Sequence, residues 1–113
     1  MSAATTIPHP VPAALAELIA RRFRVIGDPM RIRLLDQLRD GGLTVQELVA
    51  ATGAGQQNVS KHLGVLHEAG VVRRAKEGTR VRYTIADPSV FELCELVCGG
   101  LRTQLSDLEE LLS

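Results

Sequence analysis

Apolar residues recur at helical spacing through the first third of the chain. Between Ala13 and Ile26 the apolar positions follow at intervals of three or four: Leu15, Leu18, Ile19, Phe23 and Ile26. Gly27 then ends that helix, and Asp28-Pro29 predicts the start of another, since Asp is a good N-cap and Pro fits the first helical position. The second helix is expected to run to about Arg39, with three inward residues: Ile32, Leu35 and Leu38.

Two short helices joined by a tight glycine-containing turn are predicted next. Thr44 and Glu47 form the capping-box pattern that starts a third helix, and Thr52-Gly53 ends it. A fourth helix is expected from about Gly55 to Ala69. Such a pair is typical of a helix-turn-helix.

After Gly70 the spacing changes from helical to alternating. Residues 71–76 and 80–86 predict a β-hairpin whose apolar positions, Val81, Tyr83 and Ile85, alternate with Arg80, Arg82 and Thr84. Asp87-Pro88 repeats the helix-start pattern and opens a last helix. The predicted fold is therefore mainly α with a small β-hairpin: a winged helix-turn-helix of five helices, with the hairpin between the fourth and the fifth.

Length and composition predict one domain at residues 13–113, preceded by a flexible arm at 1–12 that contains Pro8, Pro10 and Pro12. The sequence has neither a signal-peptide pattern nor a run of about 18 apolar residues, so we expect a cytoplasmic protein with no membrane partner. In that compartment thiols are reduced, which disfavours a structural disulfide between the two cysteines.

Charge is distributed unevenly although the formal net charge is zero. Residues 1–54 carry six basic and five acidic groups (+1), residues 55–86 carry six and two (+4), and residues 87–113 carry one and six (−5). A basic central segment in a neutral chain favours a local contact with a polyanion.

The fourth helix has an apolar stripe and a polar face. Val59, Leu63 and Leu66 are predicted to face inward, whereas the first two turns present donors and acceptors suited to base edges and phosphates: Gln56, Gln57, Asn58, Ser60 and Lys61. The alternative is an ordinary solvated face. The position of this helix as the second of a tight pair favours DNA contact.

The hairpin places five of the chain's thirteen basic residues within ten positions: Arg73, Arg74, Lys76, Arg80 and Arg82. Charged strands can simply prevent edge-to-edge association. Such strands often mix signs, and here only Glu77 is acidic. Phosphate contacts beside a groove-reading helix are the preferred interpretation.

The order of these elements, with the motifs GDPMRIRLL (27–35) and VSKHLGVLHEAGVV (59–72), resembles the ArsR/SmtB family of winged helix-turn-helix repressors. The resemblance spans about Leu15 to Leu112. It implies a homodimer that binds double-stranded operator DNA at an inverted repeat and leaves it when an inducer binds. By position it implies DNA contacts from Gln56, Gln57, Ser60, Lys61 and His62, with Arg80 and Arg82 on the wing.

Two sensor sites known in that family lack their ligands here. The thiolate pair of the first helix-turn-helix helix would fall at residues 47–51, which contain no cysteine. The Asp and His site of the paired C-terminal helices lacks its histidine, since none follows His67.

Cys94 and Cys98 remain as a candidate sensor. Along the last helix they occupy successive positions of a heptad-like apolar series: Phe91, Cys94, Cys98, Leu101, Leu105, Leu108 and Leu112. This series is expected to meet a second subunit, together with Leu15 and Leu18 of the first helix. The thiols either fill that interface as small apolar residues or bind an arsenite- or antimonite-type ion, or react with an oxidant or persulfide. Zinc is disfavoured because it needs four ligands.

The leading functional hypothesis is a dimeric DNA-binding transcriptional repressor. Two alternatives stay open: a winged-helix protein-interaction module, and a repressor whose cysteines form no inducer site. An enzyme is not expected, because the sequence offers neither an ordered nucleophile and base nor a phosphate-binding loop.

Overall fold

The computed structural model of the chain describes residues 6–113, and within them five helices and three strands follow one another. In chain order they are α1 (Ala13–Ile26), α2 (Pro29–Gln37), β1 (Leu43–Thr44), α3 (Val45–Thr52), α4 (Gln56–Glu68), β2 (Val72–Glu77), β3 (Arg80–Ile85) and α5 (Ser89–Leu112). The predicted five-helix winged helix-turn-helix is confirmed. The predicted arm lies partly outside the described residues, and residues 6–12 are exposed and form neither helix nor strand.

Side-chain caps start α2 and α3, and a glycine ends α3. The Asp28 carboxylate accepts the backbone N–H groups of Met30 and Arg31 at the start of α2. Thr44 and Glu47 form the complete capping box of α3, and Gly53 ends that helix with φ of 73°. Helix α2 ends at Gln37, two residues before the predicted end.

The hairpin belongs to a three-stranded antiparallel sheet with strand order β1-β3-β2. Strands β2 and β3 pair from Val72 opposite Ile85 to Glu77 opposite Arg80. Strand β1 adds Leu43 opposite Tyr83 and was not predicted. With two residues it is too short to show an alternating pattern, so only pairing across the sheet reveals it.

An aliphatic core fixes α4 against α2 and α3. Val59, Leu63 and Leu66 of α4 are completely buried, which confirms the predicted inward stripe. In α2 the prediction was wrong at one position, because Ile32 is 42% exposed and Leu34 is fully buried instead. Ile32 faces α5, where it lines a cavity with Phe91 and Cys94. The helix therefore has apolar neighbours on two sides, which a single stripe does not describe.

Helix α5 divides into a packed start and an exposed remainder. Val90 is buried, and Phe91 and Leu93 pack against the core. From Glu95 to Ser113 every residue is exposed in the single chain. The helix is 24 residues long, a length of about 36 Å.

The Asp28 cap predicts how stability responds to acid. The backbone N–H of Arg31, which donates to this carboxylate, is the main reason that the pKa of Asp28 lies below its usual value of 3.8. A lowered folded-state pKa means that the cap contributes fully above the unfolded value and is lost as pH falls through the folded value. Asp28→Asn keeps an N-cap that does not titrate. We expect the wild type to lose more stability than Asp28→Asn between about pH 5 and pH 3.

Urea unfolding at fixed protein concentration across that pH range measures the difference. The matched control is Asp40→Asn, an exposed aspartate beyond the end of α2, which should respond to acid as the wild type does. Parallel acid responses of the wild type and Asp28→Asn would show that the cap does not contribute in this way.

Candidate nucleic-acid interface and cysteine groove

The first two turns of α4 present a continuous polar surface. All five predicted groove-facing residues are exposed: Gln56, Gln57, Asn58, Ser60 and Lys61. The N-cap is Gly55, and no side chain among the described residues caps the first N–H groups of the helix. Those N–H groups and the positive end of the helix dipole can bind a phosphate oxygen.

His62, also predicted as a DNA contact, lies beneath this surface rather than on it. His62 is only 9% exposed. The ring Nδ1 lies 3.0 Å from Nη1 of Arg31 and 3.9 Å from a carboxylate oxygen of Asp28. A direct contact with DNA would require the side chain to leave these partners.

Four of the five predicted wing cations are exposed on the hairpin: Arg73, Arg74 and Lys76 on β2, and Arg80 on β3. Lys61 of α4 and Arg74 of β2 line the same shallow depression, which also contains Gly64 and His67. The structure therefore brings the polar face of α4 next to the basic strand.

Arg82 differs from the other wing arginines because its guanidinium is bound within the protein. Its Nε donates to Glu77 at 2.7 Å and its Nη1 donates to the carbonyl of Gly42 at 2.7 Å. The hydrogen bond to Glu77 is the main reason that the pKa of Arg82 lies above its usual value. Arg82 thus ties the hairpin to the loop before β1, a role that the basic run in the sequence did not indicate.

Both thiols line one apolar groove between α1 and α5. Its volume is about 260 Å³, and its other walls come from Phe23, Ile26, Gly27, Leu93, Val97 and Leu101. Cys94 is half-buried and Cys98 is exposed. No cluster of three or more His, Cys, Asp or Glu side chains that could hold a metal ion occurs within residues 6–113.

The residues predicted for a dimer interface fall into two groups in the single chain. Leu18, Leu101, Leu105 and Leu108 are each between 51% and 60% exposed. Leu15 and Phe91 are half-buried, and the Phe91 ring is covered by the Arg39 guanidinium, 4.6 Å from its centroid. The exposed group leaves an apolar surface of a kind that monomeric proteins rarely present to water.

None of the helices in the described part of the chain has the length and hydropathy needed to cross a membrane.

Comparison with known proteins supports a regulator of transcription. A family described as a helix-turn-helix domain matches residues 26–75. The chain is 37% identical over 86 residues to a probable mercury resistance operon repressor from Streptomyces lividans, a match covering 76% of this chain and 69% of that protein.

Two solved structures show the same fold at similar identity. One is the crystal structure of the antimony-specific transcriptional repressor AntR, with a TM-score of 0.74 and 32% identity over 92% of this chain and 99% of that one. The other is a homodimeric winged helix-turn-helix DNA-binding domain from Mycobacterium bovis, a possible ArsR-family regulator. It has a TM-score of 0.70 and 33% identity over 84% of this chain and 88% of that one.

Proposed function

Because this chain belongs to the ArsR/SmtB family of winged helix-turn-helix transcriptional regulators, we propose that it is a repressor that binds an inverted-repeat operator as a homodimer. This membership confirms the prediction made from the motifs at residues 27–35 and 59–72. It also confirms that the chain is a DNA-binding regulator rather than an enzyme. What we propose beyond family membership is the inverted-repeat operator, the homodimer and the inducer site.

The exposed polar start of α4 beside the basic hairpin is the observation that carries this proposal. Gln and Asn side chains can pair with base edges in a major groove, while Ser, Lys and free helix N–H groups suit phosphates. The exposed cations of β2 and β3 then contact the phosphate backbone of the flanking DNA. A protein-interaction module, the alternative from another class, gains no support from this polar, basic surface.

The apolar surface of α1 and α5 supports dimerisation. Its exposed leucines continue along α5 at heptad-like spacing, the arrangement that pairs helices of two subunits. The similar domain from Mycobacterium bovis is itself homodimeric. A twofold dimer presents two α4 helices to two half-sites, which explains why an inverted repeat is the expected operator.

The groove between α1 and α5 is the proposed inducer-binding site. Two thiols four residues apart on one helix face lie about 6 Å apart at their Cα atoms, close enough to share one thiophilic ion. Arsenite would exchange two hydroxides for two thiolates, releasing two waters without a change of oxidation state. Binding there would alter the contact of α5 with α1, on which the dimer geometry depends.

Phosphate contacts predict a measurable change in salt dependence. Operator affinity should fall with salt, and Lys61→Ala and Arg80→Ala should each weaken binding and reduce the slope of log affinity against log salt by about 1. Gel-shift titration with the DNA upstream of the gene, at several salt concentrations, measures both quantities.

Two further variants sharpen that test. Arg102→Ala removes an exposed cation of α5 and should leave affinity and slope unchanged. Arg82→Ala should weaken binding with little change in slope, because Arg82 supports the hairpin from within. Absence of salt-dependent binding, or no loss with Lys61→Ala, contradicts the proposed function.

The thiol hypothesis predicts that induction requires both cysteines. Wild-type protein should lose operator affinity on addition of arsenite, whereas Cys94→Ser and Cys98→Ser should bind DNA normally and keep their affinity in its presence. The same three proteins treated with zinc, peroxide and persulfide identify the effective class of inducer.

Equal responses of all three proteins to every agent would refute thiol sensing. The chain would then be a repressor with no inducer site on its cysteines, and Cys94 and Cys98 would serve only to fill the interface.

A further inference from the structure

One arginine links α1 to the recognition helix α4. The Arg31 side chain extends from the first turn of α2, where its Nη1 lies 3.0 Å from the Nδ1 of His62. Arginine N–H groups only donate, so Nδ1 is the acceptor in this hydrogen bond. The Asp28 carboxylate, 3.9 Å from the same nitrogen, is too far for a hydrogen bond.

The same guanidinium is anchored on the last turn of α1. Its Nε donates to the carbonyl of Val25, and its Nη2 donates to the carbonyl of Arg24 at 3.3 Å. Carbonyls at a helix C-terminus carry the negative end of the dipole and favour a cation. Arg31 therefore connects three points with one rigid, planar group: two on α1 and one on α4.

A second arginine holds the other end of α4. Nη2 of Arg22 in α1 donates to the carbonyl of Ala69, the C-cap of α4, at 3.0 Å. Its Nη1 pairs with Asp87, just before α5, at 3.0 Å. Helix α4 is thus tied to α1 near its middle and at its end.

We propose that Arg31 and His62 are positioning residues for DNA recognition. Their contact sets the direction of α4 relative to α1, and His62 does not itself touch DNA. The inference rests on the proposed function, because it requires α4 to read an operator from a dimer built on α1 and α5. It replaces the direct contact that the sequence predicted for His62.

The consequence falls on specificity rather than on general affinity. Base-edge hydrogen bonds depend on accurate placement of Gln57 and Asn58 in the groove. Phosphate attraction by the wing cations tolerates a small change of helix direction and carries no sequence information. Loss of the Arg31–His62 contact should therefore reduce binding to the operator far more than binding to unrelated DNA.

Four variants separate positioning from direct contact. His62→Asn keeps an acceptor near the place of Nδ1, and His62→Leu keeps similar bulk without one. Arg31→Lys keeps the charge but cannot reach all three partners. The double variant Arg31→Lys/His62→Leu completes a thermodynamic cycle. Arg21→Ala, an exposed arginine of α1, is the control.

Affinity is measured for the operator duplex and for a scrambled duplex of equal length at one salt concentration, with thermal melting to confirm that each protein is folded. His62→Leu and Arg31→Lys should each lose roughly ten-fold on the operator, the effect of one charge-assisted hydrogen bond. They should change little on the scrambled duplex. The double variant should lose no more than the weaker single variant, and His62→Asn should stay within about three-fold of the wild type.

Additive losses in the double variant, with His62→Asn as weak as His62→Leu, would overturn the inference and make His62 a direct DNA contact. Equal losses on both duplexes would overturn it as well, since they indicate a general structural effect. Failure of the wild type to bind any operator would instead refute the proposed function, which the same titration shows separately.

Discussion

The packing of α4 against α2 and α3 is the constraint on which the proposed DNA-facing surface depends. Val59, Leu63 and Leu66 lie on one stripe and are completely buried. Because a helix that buries one stripe must present the opposite one, their burial turns Gln57, Asn58 and Lys61 outward. An aliphatic core with few aromatics thus determines which side chains of α4 are exposed.

Helix α5 performs two tasks along its length. Its first turns complete the core of the domain through Val90, Phe91 and Leu93, and the rest carries the exposed leucines of the proposed dimer surface. Cys94 and Cys98 lie where one part gives way to the other, the first half-buried and the second exposed. A ligand on these thiols would act where the chain's own core meets the proposed dimer surface, which makes the groove a suitable place for regulation.

Local signals in the sequence account for most of the fold and for the exposure of the polar face of α4. The bounds of α1, the capping box and the buried stripe of α4 follow from residues a few positions apart. Strand β1 was not predicted because Leu43 pairs with Tyr83, which lies 40 positions away. The internal contacts of His62 and Arg82 were not predicted for the same reason, since their partners Arg31 and Gly42 are 31 and 40 residues distant. The family resemblance predicted both as DNA contacts, and the basic run of the hairpin predicted Arg82 as well.

The distance between the two α4 helices tests the central claim, that pairing through α1 and α5 aims them at successive major grooves. Spin labels on Ser60→Cys, in a chain carrying Cys94→Ser and Cys98→Ser, measure it by dipolar spectroscopy without DNA. We predict one inter-subunit distribution centred at about 34 Å, one turn of B-DNA. Absence of dipolar coupling, or a separation that cannot span adjacent major grooves, would contradict that geometry.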